Sequence, residues 1–149
     1  MGIKLPNQSL NSEFECVLLL DDALDIEDSE FDDKIRRYND GVCPCPVKEG
    51  MDPVVWTLRP LPGRLSAKLK SVLRKEGEDA FFYEYGLYSL RDVENLDIEI
   101  DFSNDSKGYE HIDANTEKLL GEKILVELGG RAFMRTLPNF QQASAKDSR

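Results

Sequence analysis

The residues able to do chemistry are few and poorly grouped. One histidine, His111, and three cysteines, Cys16, Cys43 and Cys45, are the nitrogen and sulfur ligands of this 149-residue chain. On paper they make a zinc set. Zinc sites are read from paired C-x-x-C spacing, however, and Cys43-Pro44-Cys45-Pro46 lacks it. The same pair is too close, and too constrained by proline, for an ordinary structural disulfide, so reduced thiols are expected. Asp97, Asp101 and Asp105, with Glu99 and Ser103, imitate the start of a calcium loop. Such a loop needs glycine at its sixth position and a bidentate glutamate at its twelfth. Phe102 and Gly108 stand there instead. No spacing around His111 supplies a triad, no serine sits in a nucleophile elbow and no Gly-rich phosphate loop occurs. His111 therefore reads as a solvated loop residue. No catalytic residue, metal or cofactor is expected.

Charge says more than chemistry does. The formal net charge is −10, which argues against nonspecific binding to nucleic acid or to an anionic membrane and permits a basic protein partner. It is also unevenly laid out. Asp21 to Asp33 holds eight acidic residues and no basic one. Val54 to Lys75 holds six basic residues, Arg59, Arg64, Lys68, Lys70, Arg74 and Lys75, and no acidic one. Two solvated faces would satisfy this pattern. An interaction surface with sign polarity, suited to head-to-tail contacts or a basic partner, would satisfy it too. The residues such a surface would use are Arg59, Arg64 and Lys68 on one side and Asp21, Asp22 and Asp25 on the other.

The elements that must position these charges are readable from periodicity. One α+β domain over residues 1–149 is expected, a small sheet covered by about four helices, with flexible ends at 1–12 and 141–149. Glu13 to Leu20 alternates and then turns wholly apolar, as a strand entering a buried sheet does. Ser29 caps a short helix carrying Phe31, Ile35 and Tyr38 on one face, and Gly41 ends it. Pro62-Gly63 starts a helix with the stripe Leu65, Leu69, Val72 and Leu73, and Gly77 stops it. The aromatic run from Asp79 to Leu90 holds five of the twelve Phe and Tyr residues and reads as the helix nearest the core centre. Leu96 to Phe102 alternates as a strand would, followed by a polar loop, SNDSKGYEH. A last helix spans about Asn115 to Phe133, with Gly129-Gly130 placed to break it early. No apolar run approaches the ~20 residues of a membrane span.

Residues 52–63, DPVVWTLRPLPG, join the two readings. Val54 to Leu58 is β-branched and aromatic, hence strand-like. Pro60 cannot donate to a ladder, which points to a short strand at a sheet edge. Trp56 is expected inward as a core anchor, leaving Arg59 and the basic helix after Gly63 for a partner.

The strand ending Leu58-Arg59-Pro60-Leu61, then Gly86-Leu87, Val93-Glu94-Asn95 and Glu127-Leu128, resemble a pattern in small acidic proteins of tailed bacteriophages, of the tail assembly chaperone type. The resemblance covers about residues 53–133. It implies a non-enzymatic protein of the host cytoplasm or the virion that binds another phage structural or assembly protein, with no direct contact to nucleic acid or membrane and with homo-oligomers possible. A head–tail component is a close variant. The alternative from another class is an acidic inhibitor of a host defence nuclease. There, Asp21 to Asp33 and the run Asp97-Ile98-Glu99-Ile100-Asp101 would imitate DNA phosphates.

Overall fold

The computed structural model describes residues 13–27 and 47–136. The expected flexible ends, the helix from Ser29, and Cys43 and Cys45 lie outside them. The fold is α+β, with four helices and two small antiparallel sheets among the described residues.

The first sheet has the order β1 (Phe14–Cys16), β2 (Val55–Leu58), β3 (Leu90–Glu94). The strand from Glu13 is shorter than its apolar sequence suggests. It stops at Cys16, and Leu19 and Leu20 turn outward. β2 is the central strand and not an edge. Cys16 pairs with Trp56 on one side, and Trp56 with Val93 on the other. The prolines allow this because they flank the four-residue strand without entering it. β3 was not anticipated. In its sequence LRDVE, Asp92 and Glu94 are exposed and Arg91 and Val93 half-buried, as suits a strand with one wet face. Asn95, at φ 67°, ends it in the left-handed region, where its side-chain amide donates to Pro53 O at 2.9 Å.

β2 is buried on both faces. Trp56 (3% exposed) and Leu58 point into the main core with Leu65, Phe81, Tyr85, Leu90 and Leu128. Val55 faces a smaller cluster of Val17, Leu24 and Val47. That cluster is closed by a lone antiparallel bridge, Leu24 to Val47, beside which the Lys48 N–H donates to Ala23 O at 2.8 Å.

Helix α1 (Gly63–Glu76) and helix α2 (Glu78–Ser89) follow the expected bounds closely. Leu65 and Leu69 are buried, but Leu73 faces solvent. Phe81, Tyr85 and Tyr88 are buried on α2, as their spacing predicts. Phe82 lies off that face, tilted against Phe133 at 6.0 Å.

Past β3 two expectations change. Leu96 to Asp101 is not a strand, and the expected polar loop is a hairpin of β4 (Phe102–Asn104) and β5 (Glu110–Ile112). Asp105 builds its turn: Oδ1 accepts from Lys107 N and Tyr109 N, and Oδ2 accepts from the Tyr88 hydroxyl at 2.9 Å. Asp-centred turns of this kind compete well with open loops.

The last helix is two. α3 (Ala114–Leu120) is capped by Asp113, whose carboxylate accepts from Thr116 N. It ends at Gly121, φ 82°, which also begins α4 (Glu122–Arg135). Gly129-Gly130 does not break α4. A Cβ on Gly129 would lie 1.7 Å from Phe82 O, and one on Gly86 would lie 2.3 Å from Leu125 O. These two glycines let α2 and α4 cross backbone to backbone, at a distance no side chain permits.

Candidate binding groove

The six residues singled out in the sequence are not brought together. Arg59 is half-buried and faces inward. Its Nε donates to Tyr88 O at 3.1 Å and a terminal nitrogen donates to Glu110 O at 3.0 Å. Its backbone N–H donates to Ser89 O, carrying the β2–β3 edge one residue further. Burial, then the nearby Arg91 charge, pushes the Arg59 guanidinium below its ordinary value, while Glu110 and Glu13 oppose the shift. Arg91 completes the cluster. It pairs with Glu110 at 2.6 Å and stacks over the Phe102 ring at 4.6 Å. Arg59 is a tie between sheet, α2 and hairpin.

Asp21 is similarly engaged. Oδ1 accepts from Ala23 N at 2.9 Å and Oδ2 from Val54 N at 2.7 Å, fixing the 19–25 turn to the start of β2. Asp25 accepts from Glu27 N, and Asp22 is exposed. Arg64 is exposed in the first turn of α1. Lys68 approaches Asp105 Oδ2 at 3.9 Å, a loose contact. Desolvation is the largest single influence on the Asp105 carboxyl and raises it, but the N–H groups of Tyr109 and Lys107, the Tyr88 hydroxyl and the Lys68 charge together bring it below its ordinary value. Tyr88 is pushed up to about 12, by burial first and then by Asp105. Asp105 is thus held by three donors and a loose Lys68 contact, which makes it part of the fold's own bonding.

The remaining chemistry candidates are structural too. Cys16 is a buried free thiol that burial pushes up to about 12, so it stays protonated. His111 sits in β5, half-buried and not in a solvated loop. Its Nδ1 lies 2.7 Å from Ile112 O, which fixes the proton there, and its ring stands edge-on to Tyr88. Among the described residues no three His, Cys, Asp or Glu side chains converge as a metal site would require.

Surface concavity is found elsewhere. A depression of about 540 Å³ lies where the end of α1 meets the start of α2 and α4, lined by Val72, Glu76, Asp79, Ala80, Tyr83, Glu84 and Glu122. A second, of about 590 Å³, adjoins it along Asp79 and Glu122 and adds Leu20, Lys123, Val126 and Glu127. Because the two share Asp79 and Glu122, they count as one groove, in which Val72, Ala80 and Val126 are half-buried, five carboxylates line the sides and Lys123 is the one cationic residue of the described lining.

The carboxylates differ in what holds them. Glu127 accepts from Leu19 N at 2.8 Å. Glu117, just outside, accepts from the Tyr83 hydroxyl, and Tyr83 is pushed up to about 12 by burial and then by that bond. Asp79 and Glu122 stand in the first turns of α2 and α4, where the helix dipole favours them. Glu76 and Glu84 have neither support. Glu76 ends α1, the pole at which a negative charge is unfavourable. Glu84 is pushed above the usual carboxylate range by burial, then by Glu117 and Glu76. Neither forms an ion pair or side-chain hydrogen bond with another described residue.

Sequence reasoning passed over this groove because carboxylates are plentiful and three separate segments build it. The one signal available was Glu76, an acid closing an otherwise basic helix. Comparisons of the chain with protein-family models, with curated proteins and with solved structures each return no match. Among the described residues no helix is long and apolar enough to cross a membrane.

Proposed function

We propose that this chain is a non-enzymatic assembly or structural protein of a tailed bacteriophage, of the tail assembly chaperone or head–tail type, that holds another virion protein. The observation supporting a binding task is the groove. It combines half-buried apolar residues with carboxylates, of which Glu76 and Glu84 form no ion pair with another described residue, a surface better suited to a partner than to isolation. The phage assignment rests on the resemblance over residues 53–133. The nuclease-inhibitor alternative has less to stand on. Asp97 to Asp101 forms no strand to space its charges, and Asp21 is occupied by backbone donors.

Co-expression with the tape-measure, tail-tube and head–tail proteins encoded beside this gene tests the reading. Co-elution of one of them in a stable complex is the expected result. A gene remote from structural genes, with no virion protein co-eluting, overturns it. Mass spectrometry of purified virions then separates a chaperone, absent from particles, from a head–tail component.

A further inference from the structure

We infer that the groove between α1, α2 and α4 receives an amphipathic helix of the partner, with lysine or arginine set beside an apolar stripe. This rests on the reading of the chain as a binding protein. Four observations narrow the occupant. The half-buried lining residues Val72, Ala80 and Val126 reward apolar contacts. Among the described residues Glu76 and Glu84 form no ion pair, and the crowding of Glu84 by Glu117 and Glu76 is only partly offset by the more distant His111 and Lys68. Like charges held together destabilise the free protein, and cations brought by a partner relieve that cost. Except for Leu20, every lining residue lies on a helix. The walls thus offer no open strand edge, so the segment that docks must satisfy its own backbone, as a helix does. Finally, the carboxylates are strung around a rim and do not converge, which suits several separate ammonium or guanidinium groups better than one metal ion.

A second copy of the chain could in principle bring such a helix, since α1 exposes Lys70, Leu73 and Arg74. At a net charge of −10 the copies repel, whereas a basic partner is attracted both locally and at long range.

The probe is a labelled synthetic helix of lysine and leucine, about five turns long, titrated into the full chain and followed by fluorescence anisotropy. A peptide of the same composition with scrambled order is the control. The amphipathic peptide should bind at least about tenfold more tightly than the scrambled one. Glu76→Lys should weaken it about tenfold while raising the melting temperature, because the new cation suits a helix C-terminus. Val126→Asp should weaken it as well, and Asp92→Lys, on the exposed face of β3, should not. Equal binding of both peptides, or equal losses for Glu76→Lys and Asp92→Lys, overturns the inference. So does wild-type self-association in sedimentation that Glu76→Lys abolishes, which would assign the groove to a second copy. Co-elution of a virion protein with wild type and Glu76→Lys alike, without peptide binding, sinks the groove assignment and leaves the proposed function standing. Peptide binding as expected with no virion partner does the opposite.

Discussion

Two charged regions of this molecule face opposite fates. Around Arg59 and Arg91, charge is drawn inward: two carbonyls, the Glu110 carboxylate, a looser Glu13 at 3.9 Å and the Phe102 ring receive the guanidinium groups, and Arg91 Nη1 is left unbonded among the described residues. Around Glu76 and Glu84, charge is left over, at a helix pole and in a half-buried site that both disfavour it. Arginine is the residue type associated with binding hot spots and glutamate the one depleted there. Residue type alone points to the first region, whereas unmet charge points to the second. What separates them is the count of internal partners. A charge with most of its bonds made inside the fold supports the fold, and a charge held with none is available to something else.

The largest effects should come from removing what supports each region. Trp56→Ala empties the core beneath β2, the strand that delivers Arg59, and should cost about 3–5 kcal/mol, read as a lowered melting temperature. In the wild type, Trp56 fluorescence should be blue-shifted and resistant to quenchers. Gly129→Ala strikes the α2–α4 crossing that holds the groove. Backbone cannot give way as a side chain can, so a loss of about 3 kcal/mol is expected, the upper range for overpacking, by denaturant titration.

Arg59→Ala should cost about 2 kcal/mol through two charge-assisted bonds, while leaving groove binding unchanged in the folded fraction. Arg59→Lys should recover little, because one ammonium replaces a planar fork that reaches two carbonyls. A weakened partner with unchanged stability would reverse the contrast and restore Arg59 as a contact residue. The smallest effect is Glu84→Gln, a gain of about half a kcal/mol near neutral pH. Its sign follows from linkage. The folded value lies above the ordinary one near 4.5, so the folded chain holds more protons in that window and stability falls as pH rises through it. The advantage of Glu84→Gln should thus disappear below pH about 4.5.

How much of this was legible depended on how local the deciding forces are. α1 and α2 were readable because Leu65, Leu69, Phe81 and Tyr85 repeat at helical spacing and Gly77 punctuates them. β3 was hidden because LRDVE pairs with a partner more than thirty residues away, and only that pairing makes its alternation meaningful. The hairpin at Phe102 to Ile112 depends on one side chain, Asp105, choosing backbone donors over solvent. Gly121 and Gly129 look alike in sequence, yet one needs a positive φ and the other needs no Cβ. The residues that carry the phage resemblance are of this fold-making kind. Leu58 and Leu61 are buried, Gly86 sits in the crossing and Asn95 turns the chain. They describe a scaffold, and the candidate site lies almost entirely outside them.

The Leu24–Val47 bridge has a practical corollary. Leu24 and Val47 stand side by side as antiparallel bridge partners. A foreign sequence exchanged for the stretch between them would begin and end at neighbouring points, so lengthening it costs only a slowly growing entropy, about 0.6 kcal/mol per doubling. That makes the bridge a natural port for a fluorescent or affinity module, introduced with no substitution in α1, α2 or α4.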